Sequence, residues 1–269
     1  MGMKVYVIGT GRLNNDYNLS QSLWTLGTRD NPAPETAWYQ GPSYAVLIDH
    51  PTVGWILYDL GSDPRSDELW PEAIANECFW TPVEGETMEE GLAALGLKPA
   101  DIAVCVLSHM HMDHIGNMRL FADTADFYVS RAEAEHAFCT VMATPDPAGH
   151  GFYNRDDVLC PRKSLTYVEE DTVGLFPGID AYLLPGHTPG VLGLLLHLEK
   201  EKDVLLVSDA LNSIVNYHGR LPGICDDTAA YRASAKKIKR IEQANDAWVW
   251  FGHDIDQFNS LRKIPDFYE

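Results

Sequence analysis

Four side chains of the types that bind metal ions lie within six consecutive residues of the chain, in the pattern His-x-His-x-Asp-His. They are His109, His111, Asp113 and His114. Imidazole and carboxylate groups are common ligands of zinc and other divalent transition metals. His109 and His111 are two positions apart, so in an extended segment they point to the same side and can bind one ion. Asp113 and His114 come where the chain should turn toward a helix, and we expect them to face a second ion.

The segment before this pattern is predicted to be a buried strand. Residues 102–107 form a short, continuous apolar run rich in branched side chains, and a helix is expected around residues 115–121. The alternative is a cluster of solvated loop residues without a metal. A His-x-His-x-Asp-His pattern directly after a core strand is much more specific than two histidines alone, and it favours a metal site.

Three more candidate ligands follow predicted strands in the second half of the chain. Strand ends of a sheet-based core can converge on one rim, where short loops leave a cleft. We therefore expect these residues to join the first four in one site. They are His187 after the strand at 179–184, Asp209 after the strand at 204–207, and His253 after the strand at 248–251.

A further aspartate, Asp59, ends the predicted strand at 55–58, which should pair with a strand at 44–48. An aspartate followed closely by glycine is often simple turn chemistry. It can also lie behind a metal-binding histidine and hold its ring in place. Both interpretations stay open from the sequence.

The composition is that of a globular enzyme. The chain has 269 residues, of which 45% are hydrophobic, and we expect one metallo-hydrolase domain over residues 1–269. The net charge of −19 argues against a nucleic-acid or anionic-membrane partner, since such surfaces need clustered Lys and Arg. We see no signal peptide and no apolar run of membrane-spanning length.

The five cysteines are odd in number and lack Cys-x-x-Cys spacing. This predicts free thiols, a reducing cytoplasm and no cysteine ligand to zinc. No Gly-x-Ser-x-Gly sequence is present to supply a serine nucleophile.

Two segments are predicted to be long loops. Residues 12–42 show little periodicity and carry Trp24, Trp38 and Tyr39, which we interpret as a wall over a pocket or as a dimer contact. Residues 144–157 are rich in Pro, Gly and Asp and read as a surface loop or lid. His150 in this loop is expected to be solvated rather than a ligand. Helices are predicted at 86–95, 131–139 and 228–244, the last with a solvated basic stripe.

Taken together, His109-x-His111-x-Asp113-His114, Gly186-His187, Asp209 and Gly252-His253, with Asp59-Leu60-Gly61 upstream, resemble the metallo-β-lactamase superfamily. The resemblance implies an α/β fold, an αββα sandwich of two mixed β-sheets flanked by helices. It also implies a dinuclear site for two divalent metal ions, usually zinc. His109, His111 and His187 would hold one ion, Asp113, His114 and His253 the other, and Asp209 would bridge them. Iron, manganese and cobalt suit the same donors.

The C-terminal sequence Gly252-His253-Asp254-Ile255-Asp256-Gln257-Phe258 resembles the quorum-quenching N-acyl homoserine lactone lactonases of that superfamily. Those lactonases usually place a tyrosine three residues after the bridging aspartate, where it contacts the substrate carbonyl. This chain has Asn212 at that position. The role is therefore lost, taken by the Asn212 amide, or supplied by Tyr217.

The implied reaction is hydrolysis of a small-molecule lactone or ester by a metal-bridging hydroxide. Asp113 would carry a proton to the leaving group, and Asn212 or Tyr217 would contact the carbonyl oxygen. The alternatives are a thioesterase of the glyoxalase II kind, a phosphotriesterase or phosphodiesterase, or a β-lactamase. A di-iron redox protein on the same scaffold is a more distant alternative, and a homodimer is compatible with the aromatic N-terminal loop.

Overall fold

The first strand, β1 (Lys4–Asp16), has buried side chains on both faces, because side chains alternate along a strand. Val5 and Val7 pack into one apolar layer, and Tyr6 and Ile8 pack into another. This two-sided burial places β1 inside a layered structure. The observation comes from a computed structural model of the protein, which describes residues 2–269.

The larger sheet has seven strands in the order β4-β1-β2-β3-β5-β6-β7. It is mixed: β1, β2 and β3 are antiparallel neighbours, and β3, β5, β6 and β7 run parallel. Its strands after β1 are β2 (Trp38–His50), β3 (Gly54–Tyr58), β4 (Cys78–Thr81), β5 (Ile102–Val106), β6 (Asp126–Ser130) and β7 (Ser164–Val168).

The smaller sheet has five strands in the order β12-β11-β10-β9-β8. It is also mixed, since β11 and β12 are parallel and the other pairs are antiparallel. The strands are β8 (Thr172–Phe176), β9 (Ile179–Leu183), β10 (Leu192–Leu196), β11 (Val204–Ser208) and β12 (Trp248–Phe251).

Helices cover the outer face of each sheet. In the described part of the chain they are α1 (Tyr17–Ser20), α2 (Ser66–Leu69), α3 (Glu72–Ala75), α4 (Met88–Ala94), α5 (Met112–Ile115), α6 (Met118–Phe121), α7 (Arg131–Ala143), α8 (Arg155–Val158), α9 (Ile214–Tyr217), α10 (Thr228–Asn245) and α11 (Ile255–Ser260). Side chains of α4, α6 and α7 pack on the larger sheet, and those of α10 pack on the smaller one. A third apolar layer lies between the sheets. The αββα sandwich predicted from the resemblance is confirmed.

The prediction of one long loop over residues 12–42 is wrong at both ends. β1 continues to Asp16 and β2 begins at Trp38, so Arg12 pairs with Pro42 and Asp16 with Trp38. A register shift between Gly9 and Arg12 separates this outer ladder from the inner one. Only residues 17–37 connect the two strands.

Two smaller predictions also need correction. The helix expected at 115–121 is divided into α5 and α6 around Gly116 and Asn117, whose amide donates to the carbonyls of Leu60 and Ser62. His150 is buried, and one of its ring nitrogens lies 2.8 Å from the carbonyl oxygen of Thr144. It is thus a structural residue of the loop rather than a solvated one.

Candidate active site

Seven histidine and aspartate side chains from both sheets meet at one edge of the sandwich. Within each of three overlapping groups, the potential ligand atoms lie within 4.8 Å of one another. The residues come from the segments that follow β5, β9, β11 and β12. They are His109, His111, Asp113, His114, His187, Asp209 and His253. These are the seven candidates selected from the sequence, and the structure brings them together.

The first group consists of His109, His111 and His187, all of them buried. Nε2 of His187 lies 3.1 Å from Nδ1 of His111. Nδ1 of His109 lies 2.9 Å from Oγ of Ser108, which leaves its Nε2 directed into the group. Burial and the imidazole of His114 hold the pKa of His109 well below its usual value. A neutral imidazole is the form that binds a metal ion.

The second group consists of Asp113, His114 and His253. Oδ2 of Asp113 lies 3.3 Å from Nε2 of His114 and 3.5 Å from Nε2 of His253. Nδ1 of His253 lies 2.8 Å from the carbonyl oxygen of Pro42, so its Nε2 is the nitrogen that faces the group. Asp113 lies in the first turn of α5, where the chain has turned away from the β5 direction. This turn separates its group from the first one.

Asp209 lies between the two groups and faces both. Its Oδ2 is 3.3 Å from Nε2 of His187 in the first group. Its Oδ1 is 3.1 Å from Nε2 of His253 and 3.4 Å from Nε2 of His114 in the second. Burial raises the pKa of Asp209, but the three facing imidazoles outweigh it and hold that pKa well below its usual range. An ionised carboxylate with one oxygen toward each group has the geometry of a bridging ligand.

Three of these atoms lie close to other candidate ligand atoms but form no hydrogen bond in the described part of the chain. Nε2 of His109, Nε2 of His114 and Oδ1 of Asp209 are buried and accept or donate no hydrogen bond among residues 2–269. An unsatisfied buried polar atom costs roughly 1–3 kcal/mol, so a native structure rarely retains several together. Divalent cations coordinate imidazole nitrogen and carboxylate oxygen alike. The residues therefore fit divalent metal ions, one at each group.

Asp59 holds the ligand loop from behind. Its Oδ1 accepts the backbone N–H of Ser108 at 2.7 Å, and its Oδ2 lies 2.9 Å from Nδ1 of His114. The second of the two roles considered for this residue is thus the one observed. Asp59 has a φ of 59°, a left-handed conformation that is costly for a non-glycine residue. Such a conformation persists where the surrounding contacts fix it, as these do.

A cavity opens above the seven side chains, and five of them (His111, Asp113, His187, Asp209 and His253) line it. Its wall is largely apolar, with a few polar side chains near the floor. The apolar lining residues include Leu13, Leu19, Trp70, Met112, Phe152 and Ile224, and the polar ones include Asn15, Ser20 and Asn212.

Asn212 and Tyr217, the two candidates for the carbonyl contact, lie in different places. Asn212 lines the cavity beside Asp209, and its Oδ1 has no hydrogen-bond partner among the described residues. Tyr217 is turned away: its hydroxyl donates to Glu242 at 2.7 Å, and its ring lines a separate cavity against α10. Of the two candidates, Asn212 therefore lies at the cavity and Tyr217 lies outside it, because α9 directs the Tyr217 side chain toward α10.

Of Trp24, Trp38 and Tyr39 in the N-terminal segment, Tyr39 contributes to the cavity wall. It is buried, and its hydroxyl donates to the carbonyl oxygen of His253 at 2.6 Å. Trp24 stacks on Tyr17, which contacts Tyr39 edge-on, whereas Trp38 is 58% exposed. Trp70 and Cys78 also line the cavity, and no motif in the sequence singled them out.

Comparison with known proteins identifies the family. The sequence model of the family described as the metallo-beta-lactamase superfamily matches residues 38–253, which contain all seven side chains. The chain belongs to the metallo-β-lactamase superfamily. This confirms the resemblance seen in the motifs.

Within the superfamily, the chain is similar to named lactonases. It is 33% identical to the N-acyl homoserine lactonase AiiB of Agrobacterium fabrum (strain C58 / ATCC 33970), over 100% of both chains. It is 28% identical to the N-acyl homoserine lactonase AiiA of Bacillus thuringiensis subsp. kurstaki, over 98% of both chains. It superimposes with a TM-score of 0.83 on a solved N-acyl homoserine lactone hydrolase that has the product N-hexanoyl-L-homoserine bound at its catalytic metal center. That alignment covers 99% of this chain and 100% of the other, at 25% identity.

Proposed function

We propose that the protein is a dinuclear metal-dependent lactonase that opens the ring of N-acyl homoserine lactones or related small lactones. The observation that carries the proposal is the position of Asp209, with one carboxylate oxygen toward each ligand group at the floor of an apolar cavity. Similarity to lactonases over the whole chain supports the same substrate class.

His109, His111 and His187 would hold one ion, and Asp113, His114 and His253 the other, with Asp209 shared. When bound, two divalent cations polarise a carbonyl group, activate water and stabilise the negative charge of ester hydrolysis. We propose zinc, since neutral imidazoles and carboxylates are its usual protein ligands, although iron, manganese and cobalt accept the same donors.

The chain's own residues then position the substrate and move a proton. Asp113 and Asp209 are the carboxylates among the cavity-lining residues in the described part of the chain. Because Asp209 is enclosed between the two groups, Asp113 is the carboxylate that can deliver a proton to the leaving ring oxygen. The Asn212 amide can donate a hydrogen bond to the substrate carbonyl oxygen. The apolar wall would hold an acyl chain and exclude water.

The proposal places the enzyme in the cytoplasm as one domain over residues 1–269, without a nucleic-acid or membrane partner. The net charge of −19 supports the exclusion of polyanions. Among the described helices, none combines the length and apolar character required to cross a bilayer. A homodimer through the exposed Trp24 and Trp38 is part of the proposal.

Two measurements test the proposal together. Elemental analysis of protein purified without chelator should give close to two transition-metal ions per chain. A panel of acyl-homoserine lactones, simple lactones, thioesters and phosphotriesters should show the highest kcat/KM on a lactone. Full activity with one ion or none would refute the dinuclear centre. A preference for thioesters or phosphotriesters would refute the substrate class and leave the centre intact.

A further inference from the structure

Glu133 is a fully buried carboxylate that the proposed chemistry does not use. It lies in the first turn of α7, and three donors converge on it. Its Oε1 accepts the backbone N–H of Met110 at 2.9 Å and the hydroxyl of Tyr153 at 3.1 Å. Its Oε2 accepts the hydroxyl of Thr188. An acceptor-only group that receives three donors in the interior is placed to fix the segments from which they come.

All three donors lead to the first ligand group. Met110 lies between His109 and His111, so its N–H fixes the backbone that carries both rings. Thr188 directly follows the third ligand, His187. The ring of Tyr153 contacts that of His111 edge-on, with 4.7 Å between centroids. One side chain therefore joins the two loops, from opposite sheets, that have to stay in register for a single ion.

The second ligand group is supported by other contacts. His114 is held by Asp59, and His253 by the carbonyl oxygen of Pro42. Asp59 also reaches the first group, but only at His109 and through the hydroxyl of Ser108. No contact of Glu133 in residues 2–269 leads to Asp113, His114 or His253. Glu133 thus supports the first group alone, whereas Asp59 contacts both.

The position of Glu133 is itself tightly fixed. Gly190 ends the loop that carries His187, and a Cβ there would lie 2.4 Å from the backbone nitrogen of Glu133 and 2.1 Å from Oγ of Ser130. Oγ of Ser130 donates to the carbonyl oxygen of Gly190 at 2.6 Å. The start of α7 is therefore in close contact with this loop. This close packing restricts how far either segment can shift if the contacts of Glu133 are lost.

We propose that Glu133 is a positioning residue for one of the two metal sites, the site of His109, His111 and His187. It sets the register of the two ligand loops and has no corresponding role at the second site. The proposal rests on the proposed function only in requiring that two ions bind, and it does not depend on which ester is hydrolysed.

Cobalt binding to chelator-treated protein tests this without any activity measurement. Titration with Co²⁺, followed by its visible absorption and by competition with a chelator, gives the number and affinity of the ions. The wild-type chain should bind two. Glu133→Ala should bind one with unchanged affinity and the other roughly 10–100-fold more weakly, the usual effect of losing a contact behind a metal ligand. Glu133→Gln, which keeps an acceptor oxygen for Met110 and Tyr153, should recover most of the affinity.

Combining variants identifies the weakened site. In a His111→Ala background, which already lacks the first site, Glu133→Ala should change nothing further. In a His253→Ala background, it should weaken the binding of the remaining ion by the same roughly 10–100-fold. Asp180→Ala is the matched control, because Asp180 is also a buried carboxylate that accepts a backbone N–H, that of Gly174, outside the site. It should leave both affinities unchanged.

If Glu133→Ala does not fold, Thr188→Val removes one of the three contacts with little change of volume. It should lower the affinity for the same ion by a smaller factor. Equal weakening of both ions, or of neither, by Glu133→Ala or Thr188→Val overturns the positioning role. A wild-type chain that binds fewer than two Co²⁺ ions overturns the dinuclear centre, whereas two ions with no lactone hydrolysis overturn only the substrate.

Discussion

The floor and the wall of the cavity are built in opposite ways. The floor consists of the seven candidate ligand side chains. Asp59 and the Pro42 carbonyl contact the rings of His114 and His253, and Glu133 accepts the backbone N–H of Met110 between two of the histidines. The wall consists mostly of apolar side chains supplied by helices and loops, such as Leu19, Trp70 and Phe152. Each hydrogen bond in the floor fixes the orientation of a side chain or of the backbone beside it, whereas the apolar contacts of the wall define little beyond the volume of the cavity. Under the proposed function, we therefore expect the floor to determine the reaction and the wall to determine which acyl group is accepted.

We expect the largest loss of metal affinity and activity when Asp209, which faces both ligand groups, is replaced. Asp209→Ala should lower the affinity for both ions. It should also lower kcat/KM by well over 100-fold, since roughly 100-fold is already the upper effect of losing a contact behind a metal ligand. Elemental analysis and lactone kinetics measure the two effects. Asp246→Ala, an exposed carboxylate on the far side, serves as the control and should change neither. An Asp209→Ala enzyme that keeps two ions would show that this residue does not bridge.

The boundary between floor and wall is tested at Asn212, whose side chain makes no hydrogen bond to a candidate ligand. Its backbone carbonyl accepts the N–H of His253 at 2.8 Å, a contact that a side-chain substitution leaves in place. Asn212→Ala should lower kcat on the best lactone at least tenfold, and up to the roughly 10²–10³-fold seen when an oxyanion donor is removed, with metal content unchanged. Asn212→Tyr should raise any weak activity on N-acyl homoserine lactones. Unchanged turnover in both variants would assign carbonyl stabilisation to the floor alone.

Within the wall, a truncation should alter binding and leave the reaction intact. Ile224→Ala removes apolar contact with an acyl chain and should raise KM for long-chain lactones about tenfold, which corresponds to about 1.4 kcal/mol. Its effect on kcat and on short-chain lactones should be small. Ile214→Ala is the matched control, because Ile214 lies in the same segment and is 44% exposed outside the cavity. A large fall in kcat would mean that wall and floor are coupled.

The smallest effect is expected outside both regions, at His197, which lies 2.7 Å from Asp203 and 3.2 Å from Asp180. Burial lowers its pKa, but these two carboxylates outweigh that effect and raise it above the ordinary 6.5. The charged pairs therefore stabilise the fold fully below pH 6.5, and the stabilisation is lost as pH rises through the raised pKa.

His197→Gln should therefore cost more stability at pH 6 than at pH 9, by less than about 1 kcal/mol because the site is partly exposed. Urea unfolding at the two pH values measures this. Lactone turnover at a fixed pH should not change, and a parallel loss of turnover would contradict the separation of this region from the floor.

The sequence located candidate site residues where a side chain of a metal-binding type directly follows an apolar strand. His109, His187 and His253 each follow a mostly apolar strand, and most residues of those strands are buried in the structure. β7 and β8 escaped prediction because they are partly exposed, with no long apolar run. Residues 12–16 and 38–42 were assigned to a loop because a strand at a cavity mouth carries polar side chains, and its pairing partner lies far along the chain.

The direction in which side chains point was the other feature that the sequence could not predict. Asn212 and Tyr217 are five residues apart, and the sequence could not decide which of them faces the substrate. That choice depends on α9, a single turn whose backbone is held by Asp254 through the N–H of Ile214. Glu133 was missed for a similar reason. Its sequence neighbourhood is that of an ordinary helix, and only the packing of α7 against two loops reveals its contacts.

Each ligand group takes side chains from both layers of the sandwich: the larger sheet leads to His109 and His114, and the smaller one to His187, Asp209 and His253. Bound ions would therefore act as reversible cross-links between the layers. The stabilisation that they provide depends on the concentration of free metal, since a ligand present at 100 times its Kd adds about 2.7 kcal/mol to the free energy of unfolding. A cell that limits free metal would then shorten the lifetime of the folded enzyme as well as its activity, and metal scarcity would act on its abundance.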